Sequence, residues 1–391
     1  MLGAGRRGYM GAILLLAVAV QLRLPASAQG QDERLRLVRA TRLTGQTIDG
    51  RVLQRLEGDV LFRQGAASMS CDQALRDEAA GTVVFMGRVR IDTGRRRLYA
   101  ERVAYNEFTR VEEAEGHPVI YDSTRWLAAD RLTYHEAEER ARAEGRVMLV
   151  DTARFTVLTC GRIDYLRASG YASAAGSPRL VKTDSTGGDS LVLTGQKMEI
   201  FDAGARAVVS DSVTMSKGRL RVHCDRAEYF DEAQKVVLTG APHGSHGQDQ
   251  LCGKSMEVFL NGNEVQRIVV YGEALITSPS DSLNPEIRLN QLSGQRVKID
   301  LADEQIRNIT IEEQATSLYY VVEEGEYKGI NRISGDRIEL SLQDGKLRRV
   351  CVASSPGKTT GVFYPPRLEG ALPVANGKGQ NGHQNEAGRP R

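Results

Sequence analysis

The sequence predicts an all-β fold: an elongated stack of about 18 mostly antiparallel strands, built from about nine repeats. Three observations predict it. An eight-residue pattern, apolar-x-small-x-polar-apolar-x-Tyr/aliphatic, recurs nine times. A second pattern, Gly-x-Val/Pro-x-apolar, keeps the same beat about 11 residues ahead of it. Composition agrees: Gly is 40 and Trp 1 in 391 residues, only 6% of which are aromatic, and helical periodicity is scarce.

In chain order, residues 1–28 read as a secretory signal. Arg6 and Arg7 form a positive start, Met10 to Val20 is apolar apart from Gly11, and Ala26-Ser27-Ala28 is a cleavage pattern. The apolar run is well short of the roughly 20 residues that a spanning helix needs. Without Arg6, Arg7 and Arg23 the chain holds 49 basic against 50 acidic residues. A nearly neutral chain has no global attraction to nucleic acid. Residues 29–50 are a polar lead-in.

The repeat domain spans 51–360, one stack or two consecutive modules. The eight-residue pattern starts at Met69, Leu98, Leu127, Leu158, Leu193, Val222, Leu251, Leu292 and Ile333, with four steps of 29 residues. Its clearest copies run Leu98 to Tyr105, Leu127 to Tyr134, Leu158 to Tyr165 and Val222 to Tyr229. The second pattern is clearest at Gly58, Gly87, Gly116 and Gly145 and weaker at Gly176 and Gly240. Ala141, Ala143, Gly145, Val147 and Leu149 alternate with the residues between them, which is the period of a half-buried strand. The other segment slips phase by one residue after a small side chain: Cys71, Ala100, Ala129, Cys160, Gly195, Cys224, Gly253, Gly294 or Gly335. A bulge or sharp corner there absorbs the slip, and a small residue suits it. Asp92-Thr-Gly94, Asp202-Ala-Gly204 and Asn261-Gly262-Asn263 are hairpin turns. Ser169–Ser190 and Ser278–Asn290, rich in Ser, Gly, Pro and Asp, read as inserted loops. Residues 365–391 form a tail, expected to be disordered from Ala371 onward.

A bent two-sheet stack has an apolar inner lining. Candidate lining residues are Val89, Ile91, Leu98, Val103, Leu127, Leu132, Leu149, Leu158 and Ile163. They either fill a dry core or line an open slot, which would need a ligand. Lys or Arg recurs beside the corner, including Arg102, Arg131, Arg162 and Arg226. This row is either a solvated outer face or a rim for lipid phosphates. Cys71, Cys160 and Cys224 occupy the small corner slot, too far apart for bridges at about 10 Å, so free thiols are expected. His243 and His246 make a weak metal signal; no metal or cofactor is expected. There is no G-x-S-x-G, HExxH, phosphate-binding Gly loop or C-x-x-C, so the reading is not an enzyme. An open stack leaves an unpaired edge at each end, placed near Val60 and Val350.

Gly87 to Tyr105, Gly116 to Tyr134 and Gly145 to Tyr165, with looser copies over 51–350, resemble the organic-solvent-tolerance (OstA-like) family. That family takes in periplasmic lipopolysaccharide-transport proteins of the LptA type and the N-terminal domain of LptD-type proteins. The resemblance implies a V-shaped, twisted β-jellyroll whose apolar groove carries lipid A acyl chains. It implies a periplasmic bridge, with an outer-membrane association left open. Its partners would be lipopolysaccharide and inner- and outer-membrane transport components joined through edge strands, with head-to-tail self-association. The chain departs from the simplest members in its length, its two insertions and its tail. A structural or adhesive β-solenoid of the cell envelope is the rival reading; a carbohydrate-active β-helix enzyme is a weaker one.

Overall fold

The computed structural model describes residues 35–366 apart from 49, 184–188, 263, 281–287, 324–325 and 344–345. The signal segment and the tail beyond 366 lie outside the described residues. The described chain forms one bent sheet of 28 strands, from Arg36–Arg39 to Thr360–Tyr364, with every pairing antiparallel. The all-β expectation holds. Twelve strands pass through the bend unbroken, and sixteen form eight pairs that stop at it, making twenty rungs. Among the described residues no helix is long and apolar enough to cross a membrane.

Each rung has two arms. Residues 82–86 of Thr82–Asp92 pair with 102–106 of Arg96–Asn106 in the first arm, and 89–92 pair with 97–100 in the second. The register shows where the extra residue sits. Phe85 faces Val103 and Val89 faces Ala100, so four steps on one rung match three on the next. The bulge therefore lies in the Gly-x pair of the second pattern, opposite the residue that follows the small one, as Gly87-Arg88 oppose Glu101, and not on the small residue. At nine corners two successive residues have positive φ, as in Gly87 (72°) and Arg88 (45°). Glycine adopts this conformation without strain. At Gly87 it also leaves room, because a Cβ would come within 2.6 Å of Asp72 on the preceding rung. The small residues pack on the inside of the bend, Val60 against Cys71 and Val147 against Cys160. All five cysteines are free thiols, and burial pushes Cys71 up to about 11 and Cys160 up to about 12.

Proline accounts for six of the eight broken rungs. Pro118, Pro178 and Pro242 stand at the corner of three rungs and lack the N–H that the ladder needs. Each of these rungs and the one after it breaks into two strands, such as Val111–Glu115 with Val119–Asp122 and Arg125–Ala128 with Arg131–His135.

Three sequence expectations change. The lead-in is not outside the stack: Arg36–Arg39 and Arg42–Ile48 form its first rung. The expected loop at Ser169–Ser190 contains the rung Tyr171–Ala175 with Arg179–Lys182. Val60 is not at the edge: it is wholly buried, because Arg36–Ile48 covers it. Val350 does lie in the last rung, 38% exposed.

Candidate functional site: the interior and its seam

The two arms fold face to face around a single apolar cluster that runs from Leu35 to Leu340. All nine candidate lining residues belong to it, between 0% and 7% exposed. Ile91, Leu98, Ile120, Leu127, Leu149 and Leu158 form one cross-strand row of the second arm. The first arm answers with alternating bulk: Val103, Ala114, Leu132, Ala143, Ile163, Ala174. Large side chains of one face fill the recesses above the alanines of the other, which is how an interior reaches close packing. Phe62 of the second arm meets Phe85 of the first edge-on, with ring centroids 5.5 Å apart. In this state the arms touch, and the interior is filled rather than open.

Polar groups are also buried, among them Glu112 in register with Tyr105 and Tyr134. Glu112, on the first arm, points inward and is 5% exposed, and its Oε2 has no hydrogen-bond partner. Burial pushes its carboxyl up to about 8, so it is largely protonated at neutral pH.

Opposite the corner, the arm tips meet along a seam. Among the described residues all strand pairing runs within an arm, so the seam is closed by side chains. From the first arm come Tyr105, Tyr134, Tyr165 and Tyr229, the aromatic residue that ends the eight-residue pattern. From the second come Gln64, Arg96, Arg125, Arg154 and Lys182. Tyr105 hydrogen-bonds Gln64. Tyr165 lies in the field of Arg96 and Arg125 across the seam. Lys182 Nζ donates to Tyr229 Oη and Asp231 Oδ1, both at 2.9 Å. Tyr229 Oη donates to the same Asp231 oxygen at 2.8 Å, and burial holds its hydroxyl far above the usual range. The arginines are held by carboxylates of the adjoining rungs: Arg96 by Asp122 at 3.0 Å and Arg125 by Asp151 at 2.8 Å. Arg154 Nη1 is buried with no hydrogen-bond partner, and burial lowers its affinity for the proton.

The corner basic row is elsewhere. Arg102 and Arg131 both reach Glu115, at 3.0 and 2.8 Å, Arg162 reaches Asp164 at 3.3 Å and Arg226 reaches Glu228 at 2.7 Å. These arginines stand on the outer face of the first arm, neutralised by carboxylates and remote from the seam. Sequence reasoning missed the row that does border the interior. Its signal was available: Arg96, Arg125 and Arg154 recur at the 29-residue step. Among the described residues no group of three or more His, Cys, Asp or Glu side chains is placed to hold a metal ion. His243 instead stacks on His223, centroids 5.8 Å apart.

A family model described as OstA-like protein matches residues 32–186. No curated protein matches the chain. Among solved structures, it is similar to LptH, the LptA-homologous periplasmic component of the lipopolysaccharide transport device of Pseudomonas aeruginosa. That match has 18% identity, covers 37% of this chain and 95% of that one, and has a TM-score of 0.29. The matched span begins before the first rung and takes in both basic rows as far as Lys182, and over those residues the chain is similar to the OstA-like family.

Proposed function

We propose that this protein is a periplasmic carrier of lipopolysaccharide, a bridge that holds lipid A acyl chains between its two arms and passes them towards the outer membrane. The observation that carries the reading is the seam: a continuous apolar interior sealed by backbone pairing on one side and only by side chains on the other. An acyl chain entering sideways would part the arm tips and replace cross-arm contacts with its own. Each buried methylene contributes about 0.8 kcal/mol, so several chains compete well with the packing they displace. The lipid phosphates would meet Arg96, Arg125, Arg154 and Lys182 at the seam. Residues 1–28 would deliver the chain to the periplasm. The end rungs would join inner- and outer-membrane components, or a second copy, by strand addition. Leu43 (54% exposed) at one end and Phe363 (54%) at the other offer apolar contacts for this.

The filled interior favours one rival, a structural β-stack with a permanently dry core. Photo-crosslinkers at Leu98, Val103 and Leu132 in intact cells separate the two. Lipopolysaccharide adducts are expected. Their absence at all three positions, with adducts recovered from a known carrier in the same cells, leaves the structural reading.

A further inference from the structure

The second arm is apolar on both faces over part of its length. Outward-facing Tyr121, Trp126, Val150, Val157, Val181 and Val192 are consecutive register partners across six rungs. A parallel row nearer the corner adds Tyr99, Val119 and Met148. Tyr99 is 38%, Tyr121 47% and Met148 39% exposed, and among the described residues no element covers them. The stripe stops sharply: beyond Val192 the same row continues as Ser216, Arg221, Ser245 and Gln250. Strands with two apolar faces ordinarily lie between two layers. Among the described residues no second layer lies over this face.

Charge indicates what supplies it. Away from the seam, the second-arm segments 89–100, 119–129, 147–160 and 179–182 hold Arg90, Arg95, Arg97 and Arg179 against Asp92, the remaining Lys/Arg of these segments standing at the seam. The first-arm segments of the same rungs, 82–86, 102–115, 131–144 and 162–175, hold seven against nine acidic residues. Phe155, 48% exposed, projects from a tip turn beside Arg154. Aliphatic surface, exposed Tyr and Phe, a half-buried Trp, and an excess of Lys/Arg form the combination that lodges at a bilayer interface. A second copy docking by the same face would set two basic surfaces against each other. Docking by its first arm would press charged Glu113 and Arg142 onto the valines.

We propose that the outer face of the second arm, from Tyr99 to Val192, rests on an anionic phospholipid surface. This concerns the outside of the molecule and holds or fails independently of what the interior carries.

Trp126 is the only tryptophan of the chain and lies within the stripe, so its emission reads docking directly. With vesicles of equimolar phosphatidylcholine and phosphatidylglycerol, the emission should shift to the blue and the protein should sediment with the lipid. Phosphatidylcholine alone should do neither, and salt should weaken the effect. The double variant R95A/R179A removes two exposed cations and should lower affinity about 30-fold, each contributing about 1 kcal/mol near such a surface. Tyr121→Ser should weaken binding while leaving the circular dichroism spectrum unchanged. No blue shift and no co-sedimentation with the anionic vesicles overturns the proposal. So does a lipid-independent blue shift that rises with protein concentration alongside a dimer mass, which would assign the stripe to a second copy.

Discussion

The two arms line one interior but face different surroundings. On the first arm, the outer row beside the corner reads Arg102, Glu115, Arg131, Glu144, Arg162 in direct register, opposite charges alternating on successive rungs. On the second arm, outer positions of the same rungs are Tyr, Trp, Val and Met. The inner faces match in character because both must exclude water from the same space. The outer faces do not match because closing that space places no demand on them. In a repeat protein the inward half of each strand records the fold, and the outward half records what lies beside it.

The inner symmetry can be broken most visibly in the core. Phe85→Ala on the first arm and Leu149→Ala on the second should each cost about 2–5 kcal/mol, because both side chains are at most 1% exposed. Urea unfolding measures this, and a cost confined to one arm would show that the interior is not shared.

Glu112 sharpens the comparison next, since it is an ionisable group on the inner face of the first arm. Its folded-state value of about 8 lies above the ordinary 4.5, so the native state keeps a proton that the unfolded state has released. Stability is then fully present below about pH 4.5 and falls as pH rises to about 8. Glu112→Gln should flatten this slope and stabilise the protein by about 2 kcal/mol at pH 8.5, with little effect at pH 4.5. An unchanged slope in urea titrations at the two pH values would contradict the burial of that carboxylate.

The smallest effects should separate seam from outer face. Lys182→Ala leaves Asp231, itself 8% exposed, without its ammonium partner and should cost about 1–2 kcal/mol. Arg102→Ala removes a solvated pair at 42% and 33% side-chain exposure and should cost less than about 0.5 kcal/mol. Equal melting points for the two variants would mean that the Lys182 contact does not hold the arms together.

Much of this was legible in the sequence. Period-two alternation located the strands, the 29-residue beat placed the corners, and the inward partners of that alternation named Leu98, Leu149 and Ile163 as interior. The bulge was misplaced because Arg88 and Arg146 hold positive φ, a conformation that residue type does not advertise outside glycine and asparagine. Tyr171–Ala175 was hidden by small side chains: Ala172 and Ala174 are wholly buried but give a weak hydrophobic pattern. The seam's basic row left a 29-residue recurrence in the sequence, but its closing contact did not, since Lys182 and Asp231 are brought together by the closing of the arms and not by any spacing along the chain. The filled interior was equally hidden, because the choice between slot and core depends on the angle at the bend.

The proline-broken corners give the molecule an uneven stiffness. From Arg51 to Asn106 and from Glu264 to Gln343 every rung is continuous across the spine. Between these ends, pairs of broken rungs alternate with pairs of whole ones, like the joints of a folding ruler. Twist or flexion applied at either end is transmitted through a rigid block and absorbed at the joints beside Pro118, Pro178 and Pro242. Bending of the molecule would then concentrate in its middle, where both arms are paired on either side of each break.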